Sequence, residues 1–145
     1  MIATPIEAEG IVETLKAFQS LEVDLRRQAN GELRTAARTC ALELAAELRI
    51  AAAGGPPVAR RVARSVTVKN DRIPAVAIGG RRRVGMRGAP ASVLVWGSEH
   101  GGRNFARPAG GAYWIAPTVA RFGQSQALLA YKRAVVDLLR KYKLL

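Results

Sequence analysis

The spacing of apolar positions predicts that the chain begins with a short helix. Between Ile6 and Leu21, apolar residues recur at intervals of four and three, at Ile11, Leu15 and Phe18. This is the spacing of one helix face. Acidic residues crowd the first part of the segment, where the helix macrodipole favours negative charge. We therefore expect a short acidic helix within residues 1–21 and interpret it as a candidate interface arm.

A longer helix is predicted from Val23 to Ala53. Six residues share its apolar face: Leu33, Ala37, Cys40, Leu44, Ala45 and Leu48. Asn30-Gly31 is the weakest point, at which a kink or a break is expected. Gly54-Gly55-Pro56-Pro57 predicts the end of the helix, because Gly caps helices and Pro cannot continue them.

The period of the pattern then changes from helical to alternating. Alternation from Val62 to Lys69 predicts a strand, and Pro74 to Gly79 predicts its antiparallel partner after a turn at Asn70-Asp71. Ser92 to Trp96 predicts a third strand. We expect a basic flexible loop over residues 81–90 and a long irregular loop over residues 97–111.

The chain is predicted to end in a helix. Pro117 suits its first turn, and the helix extends to about Lys143 with Gly123 as a potential interruption. Its apolar face comprises Leu128, Leu129, Val135, Leu138, Leu139 and Tyr142. The expected fold class is α+β, a single domain over residues 1–145. It has a long N-terminal helix, a small antiparallel β-sheet of three or four strands and a C-terminal helix.

Charge is unevenly distributed along this chain of 145 residues, whose net charge is +12. Residues 1–24 contain five acidic residues and one lysine, whereas residues 54–90 contain nine basic residues and one acid. This separation suits subunits that meet head to tail, and it suits a nucleic-acid partner equally well. Solvated arginines in an arginine-rich chain are the simpler interpretation.

Composition excludes several classes of protein. One cysteine and one histidine can form neither an intramolecular disulfide nor a four-ligand zinc site. No apolar run approaches the ~20 residues that cross a bilayer, and the start has no signal-peptide pattern. We therefore expect a soluble intracellular protein with no cofactor and no membrane partner.

Candidate catalytic residues have simpler structural interpretations. Cys40 lies among apolar helix positions without a nearby cation, so we expect a buried thiol and not a nucleophile. Ser98-Glu99-His100 contains the residue types of a catalytic triad, but triads converge from separated chain positions. We expect a turn there, and we expect no catalytic residue and no metal ligand in the chain.

Two groups of residues are candidates for binding. Four arginines, Arg81, Arg82, Arg83 and Arg87, are candidate contacts to DNA phosphates or to an acidic neighbouring subunit, or form a solvated loop. Four aromatic residues are candidate subunit-interface anchors: Trp96, Phe105, Tyr113 and Trp114. The alternative for Trp96 and Trp114 is that they close the core over the third strand.

Four short motifs resemble the family of small siphophage proteins known as putative tail components, or neck and head–tail joining proteins. The motifs are Pro57 with Val62–Val68, then Val76–Gly79, Val95–Ser98 and Tyr113–Val119. The resemblance extends over roughly residues 22–145. Two positions depart from it. Residues 57–61 lack the P-x-x-T/S-G turn that is common in the family, and Trp96 stands where Glu is common.

The resemblance implies a structural virion protein without catalytic residues, located in the neck or tail between the portal complex and the tail tube. It also implies a homo-oligomeric ring of six- or twelve-fold symmetry that contacts neighbouring connector and tail proteins, with non-specific contact to DNA. The alternative function is that of a small basic nucleic-acid-binding protein.

The acidic first helix of one subunit is a candidate to set the register of the ring against the basic middle of the next. Charge reversal at Glu7, Glu9 and Glu13 is then expected to abolish assembly while leaving the fold intact. Rings that persist in this variant would overturn the hypothesis.

Overall fold

The computed structural model describes residues 2–5, 11–55, 57–70, 74–80, 91–100 and 114–144. Its elements, in chain order, are β1 (Ile2–Pro5), α1 (Ile11–Phe18), α2 (Val23–Ala53), α3 (Pro57–Val62), β2 (Thr67–Lys69), β3 (Ala75–Ile78), α4 (Ala91–His100), α5 (Ile115–Phe122) and α6 (Gln126–Lys141). A 3-10 turn at Ala63–Ser65 lies between α3 and β2. The described chain is mostly helical with a small antiparallel sheet, which confirms the α+β class and both terminal helices.

Helix α2 is the centre of the core and begins and ends where the sequence predicts. All six predicted face residues are buried, together with Ala29, Ala41 and Ala52. The expected break at Asn30-Gly31 is absent, because α2 continues through both residues. A helix of this length with a packed apolar face outweighs the unfavourable helix propensity of one glycine.

Gly31 lies on the exposed side of α2, and no atom lies within 4 Å of the position that a Cβ would occupy. We expect Gly31→Ala to raise the free energy of unfolding by about 1 kcal/mol, because alanine loses less backbone entropy in a helix. Urea unfolding followed by circular dichroism measures the change. Gly55→Ala is the control, since its Cβ would lie only 3.2 Å from that of Ala59. A Gly31→Ala variant that is no more stable than the wild type would contradict the expectation.

The sheet contains strands in the order β1-β3-β2. Both pairings are antiparallel, with Ile2 opposite Ile78 and Thr67 opposite Ala77. The predicted β2–β3 hairpin is therefore confirmed, and β3, as the central strand, is buried along its whole length. Strand β1 was not predicted, because it is four residues long and ends in proline. Proline is compatible with an outer strand.

The structure differs from the sequence expectations in two places, residues 2–5 and residues 62–65. The short helix expected within residues 1–21 is confirmed at Ile11–Phe18, but residues 2–5 form a strand that was not expected. Residues 62–65 complete α3 and the 3-10 turn and do not begin a strand. The buried positions explain this, since Ala59, Val62 and Ser65 recur at the helical interval of three.

The predicted third strand is also wrong, because Ser92–Trp96 lies inside helix α4. Four buried residues of α4 share one helix face: Ala91, Val95, Ser98 and Glu99. Packing of this face outweighs the strand propensity of the sequence Ser-Val-Leu-Val-Trp. The expected irregular loop over 97–111 is therefore helical up to His100 and otherwise lies outside the described residues, as does the 81–90 loop.

The C-terminal helix is interrupted at Gly123, as predicted, and continues as α6 from Gln126. Ser125 caps α6, since its Oγ accepts a hydrogen bond from Leu128 N–H at 3.2 Å. One predicted face residue is wrong, because Leu129 is 42% exposed. Tyr131, which was not predicted, is the buried residue of α6.

Side-chain contacts join the C-terminal end of α6 to α1 and α2. The rings of Tyr142 and Phe18 meet edge to face at 6.1 Å. Glu32 of α2 accepts hydrogen bonds from Lys141 Nζ at 2.6 Å and from Tyr142 Oη at 3.2 Å. The hydrogen bond from Lys141 holds the pKa of Glu32 below its ordinary value of 4.5, and the same bond raises the pKa of Lys141 above 10.5.

The signs of these shifts predict a pH window for the Glu32–Lys141 pair. The contribution of Glu32 to stability is full above about pH 4.5 and is lost as the pH falls through its lowered pKa; that of Lys141 is lost above pH 10.5. We expect Glu32→Gln to cost little at pH 7, since the pair is largely exposed and screened by salt, and to cost less at pH 3, because the contribution of Glu32 declines as the pH falls below 4.5. Urea midpoints at the two pH values measure this, and an equal loss at both would contradict it.

Candidate functional site

Ser98 and Glu99 do not face each other as members of a triad, because both bind the segment that begins α5. Ser98 Oγ donates to the carbonyl oxygen of Val95 at 2.7 Å and accepts a hydrogen bond from Trp114 Nε1 at 3.1 Å. Both Ser98 and Trp114 are buried, and Trp114 is only 1% exposed. The pair therefore fastens the end of α4 to the start of α5.

Glu99 caps the N-terminus of α5 from outside that helix. Its carboxylate accepts hydrogen bonds from the backbone N–H groups of Trp114 (3.3 Å), Ile115 and Ala116 (3.1 Å). These are the amides that lack partners within a helix, and they form the positive end of its dipole. Glu99 is 3% exposed, so the cap is a buried structural contact. His100 lies at the end of α4 and is exposed.

Cys40 is a buried thiol, as predicted. Burial, and to a smaller extent the charge of Glu43, raise the pKa of Cys40 to about 11, and burial raises that of Tyr131 to about 12. We expect Cys40 to resist an aromatic disulfide reagent at pH 8 in the folded protein and to react fully in urea. Absorbance at 412 nm follows the reaction. Rapid reaction without urea would show that the thiol is accessible.

The predicted binding residues are placed as follows. Eight lie outside the described residues: Glu7, Glu9, Arg81, Arg82, Arg83, Arg87, Phe105 and Tyr113. Glu13 is exposed in the first turn of α1, and Trp96 belongs to α4. Trp114 lies in the core, so of its two interpretations the structure favours core closure over a subunit contact.

Helix α2 carries opposite charges on its two flanks. One flank has a row of exposed arginines: Arg27, Arg34 and Arg38. The other flank, toward α6, has three acidic residues: Glu32, Glu43 and Glu47. Within each row the residues are spaced so that they lie on one side of the helix. The two flanks of α2 therefore carry opposite charges.

A groove lies between α2 and the α5–α6 segment; we call it the α2–α6 groove. It consists of two depressions of about 570 and 560 Å³, which share Glu43, Gln126 and Ala127. Its walls are largely small or apolar, with Ala36 and Ala130 at one end and Ile50 at the other. The sequence does not reveal this groove, because it depends on how α2 and α6 pack.

The side of α6 that points away from the core is a second distinctive surface, which we call the outer face of α6. Two apolar residues seven positions apart are exposed on it: Leu129 and Val136. Four charged residues surround them: Lys132, Arg133, Asp137 and Arg140. The surface is therefore basic with an apolar centre.

The described part of the chain contains neither a metal-binding cluster nor a membrane-spanning helix. Within it, no group of three or more His, Cys, Asp or Glu side chains is arranged to hold a metal ion. No helix there is both long and apolar enough to cross a membrane. Comparison with known protein families, curated proteins and solved structures finds no match.

Proposed function

We propose that the protein is a structural component of a tailed-phage particle, a ring-forming part of the head–tail connector, neck or tail-completion region. In this role it forms a homo-oligomeric ring in the virion and contacts neighbouring connector and tail proteins. The four motifs that resemble the neck and head–tail joining family are the basis for assigning this class of particle.

The observation that carries the proposal is that the motif segments are joined in pairs. The backbone N–H of Gly79, in the second motif, donates to Ser65 Oγ of the first at 3.0 Å. Trp114, in the fourth motif, donates through Nε1 to Ser98 of the third. Ser65, Ser98 and Trp114 thus hold elements of the fold together. The use of these motif side chains for packing contacts and not for chemistry supports a structural protein over an enzyme.

The charge distribution supports assembly. A ring of identical subunits needs a heterologous interface, in which two different surfaces of the chain meet. The acidic flank of α2 and the basic outer face of α6 supply surfaces of opposite sign on a chain whose net charge is +12. Complementary charges set orientation and exclude wrong contacts.

The mass of the purified protein in solution tests the proposal. Light scattering over a range of concentration and salt, with negative-stain electron microscopy of the same samples, is expected to show one discrete ring-sized species free of nucleic acid. A chain that remains monomeric at the highest concentration and lowest salt would contradict the proposal.

The alternative, a small nucleic-acid-binding protein, is favoured by the arginine row on α2. Binding through phosphates alone weakens steeply with salt, with a slope set by the number of phosphates contacted. A monomer that binds duplex DNA tightly at low salt would support this function. The slope should then fall by about one for each arginine replaced among Arg27, Arg34 and Arg38.

A further inference from the structure

We propose that the α2–α6 groove of one copy of the chain binds the outer face of α6 of a second copy, so that copies join head to tail. The inference rests on the ring-forming function proposed above and names the surface through which the ring closes. The occupant of the groove is a second copy of the same chain.

The dimensions of the two surfaces match. Along α2 the groove extends from Ala36 to Ile50, which is about 21 Å at the helical rise per residue. The outer face of α6 extends from Leu129 to Arg140, about 17 Å. One helix therefore fits along the groove, and the alanines that line it permit the close approach of a second helix.

Each surface exposes apolar side chains that the monomer does not cover. Ile50, on the wall of the groove, is 67% exposed, and Val136, on the outer face of α6, is 37% exposed. Leu129 lies two helical turns from Val136 on the same side of the helix. Contact between the surfaces covers these apolar side chains, with Ile50 at one end of the groove and Leu129 and Val136 along the helix that occupies it.

Charge favours a second copy of this basic chain as the partner. Glu43 and Glu47 line the groove with one arginine, Arg121. The outer face of α6 has three basic residues and Asp137. Within the described residues the only ion pair is that of Lys141 with Glu32, so neither glutamate of the groove is paired there.

The two surfaces use different sides of α6. Ala127, Ala130 and Ala134 line the groove, whereas Leu129 and Val136 lie on the outer face. One copy can therefore offer both surfaces at once. A self-complementary dimer would use the same patch twice, but this arrangement continues from copy to copy and closes as a ring when the rotation permits.

Charge reversal on each surface tests the inference. We expect Glu43→Lys with Glu47→Lys, and separately Arg133→Glu with Arg140→Glu, to raise the concentration for half-assembly at least tenfold, since like charges then meet. An equal mixture of the two variants is expected to restore assembly, because each then complements the other. Light scattering measures the oligomer, and circular dichroism verifies the fold.

Arg34→Glu with Arg38→Glu is the matched control, because it reverses two exposed charges on the other flank of α2. Assembly that survives both groove and outer-face reversal, or that is lost only on reversal of Glu7, Glu9 and Glu13, would overturn the interface and leave the ring function standing. A wild-type chain that never assembles would overturn both. A groove variant that loses thermal stability but not assembly would assign the groove to a segment of its own chain.

Discussion

Trp114→Ala is expected to lower the free energy of unfolding by about 4 kcal/mol. Trp114 is one of the largest fully buried side chains, and it joins α4 to α5. Its loss removes a large apolar contact and leaves a cavity that surrounding elements fill only in part. For a domain of this size the melting temperature should fall by roughly 12 °C.

Trp114→Phe is the matched control for this prediction. It keeps most of the buried aromatic surface but removes the donor to Ser98 and a small part of the packed ring, so the loss should be about 1–2 kcal/mol. Urea unfolding followed by far-ultraviolet circular dichroism measures both variants. A Trp114→Ala protein that keeps its stability but no longer assembles would instead place Trp114 at a subunit interface.

Glu99→Ala is expected to destabilise the protein by about 3 kcal/mol. The substitution leaves three amide groups at the start of α5 without their acceptor, two of them on residues that are at least half-buried, and removes a negative charge from the positive end of the helix. Thermal unfolding measures the loss, which should appear as a melting temperature lower by roughly 10 °C.

Two control variants distinguish the stability lost with the cap from any general effect of removing a negative charge. Glu99→Gln keeps one acceptor oxygen, so its cost should lie between those of the wild type and Glu99→Ala. Asp137→Ala removes an exposed carboxylate from α6 and should change stability by less than about 0.5 kcal/mol. Full stability of Glu99→Ala would contradict the assigned cap.

The sequence predicts the bounds of α2 correctly, because its helical pattern is long and the separate sequence features agree with one another. Periodicity, propensity and the Gly-Gly-Pro-Pro stop indicate the same bounds. The sequence does not determine the shorter elements in the same way, because the apolar pattern of five or fewer residues does not distinguish a buried strand from a buried helix. Residues 92–96 show this, since their strand propensity is outweighed by the packing of one helix face.

The role of Glu99 depends on a tertiary contact, yet the sequence contains a signal for it. Helix α5 begins at Trp114-Ile115-Ala116 without a Ser, Thr, Asp or Asn to cap it, and Trp114 makes no side-chain cap. Amides at the start of a helix need an acceptor from elsewhere. Glu99 is one of three acids after residue 50, with Asp71 and Asp137. The α2–α6 groove has no such signal, since it exists only once two distant helices have packed.

The position of β1 beside β3 has a consequence for how the chain is made. The ribosome synthesises Ile2–Pro5 before their pairing partners, Ala75–Ile78, which follow about seventy residues later. At 5–20 residues per second this delay is roughly 4–15 s. Throughout it, the first strand of a nascent chain has open hydrogen-bonding groups, and on a crowded polysome the outer edge of a β2–β3 hairpin from a neighbouring chain can capture it. Strand exchange between nascent copies is thus the misfolding route that this topology favours.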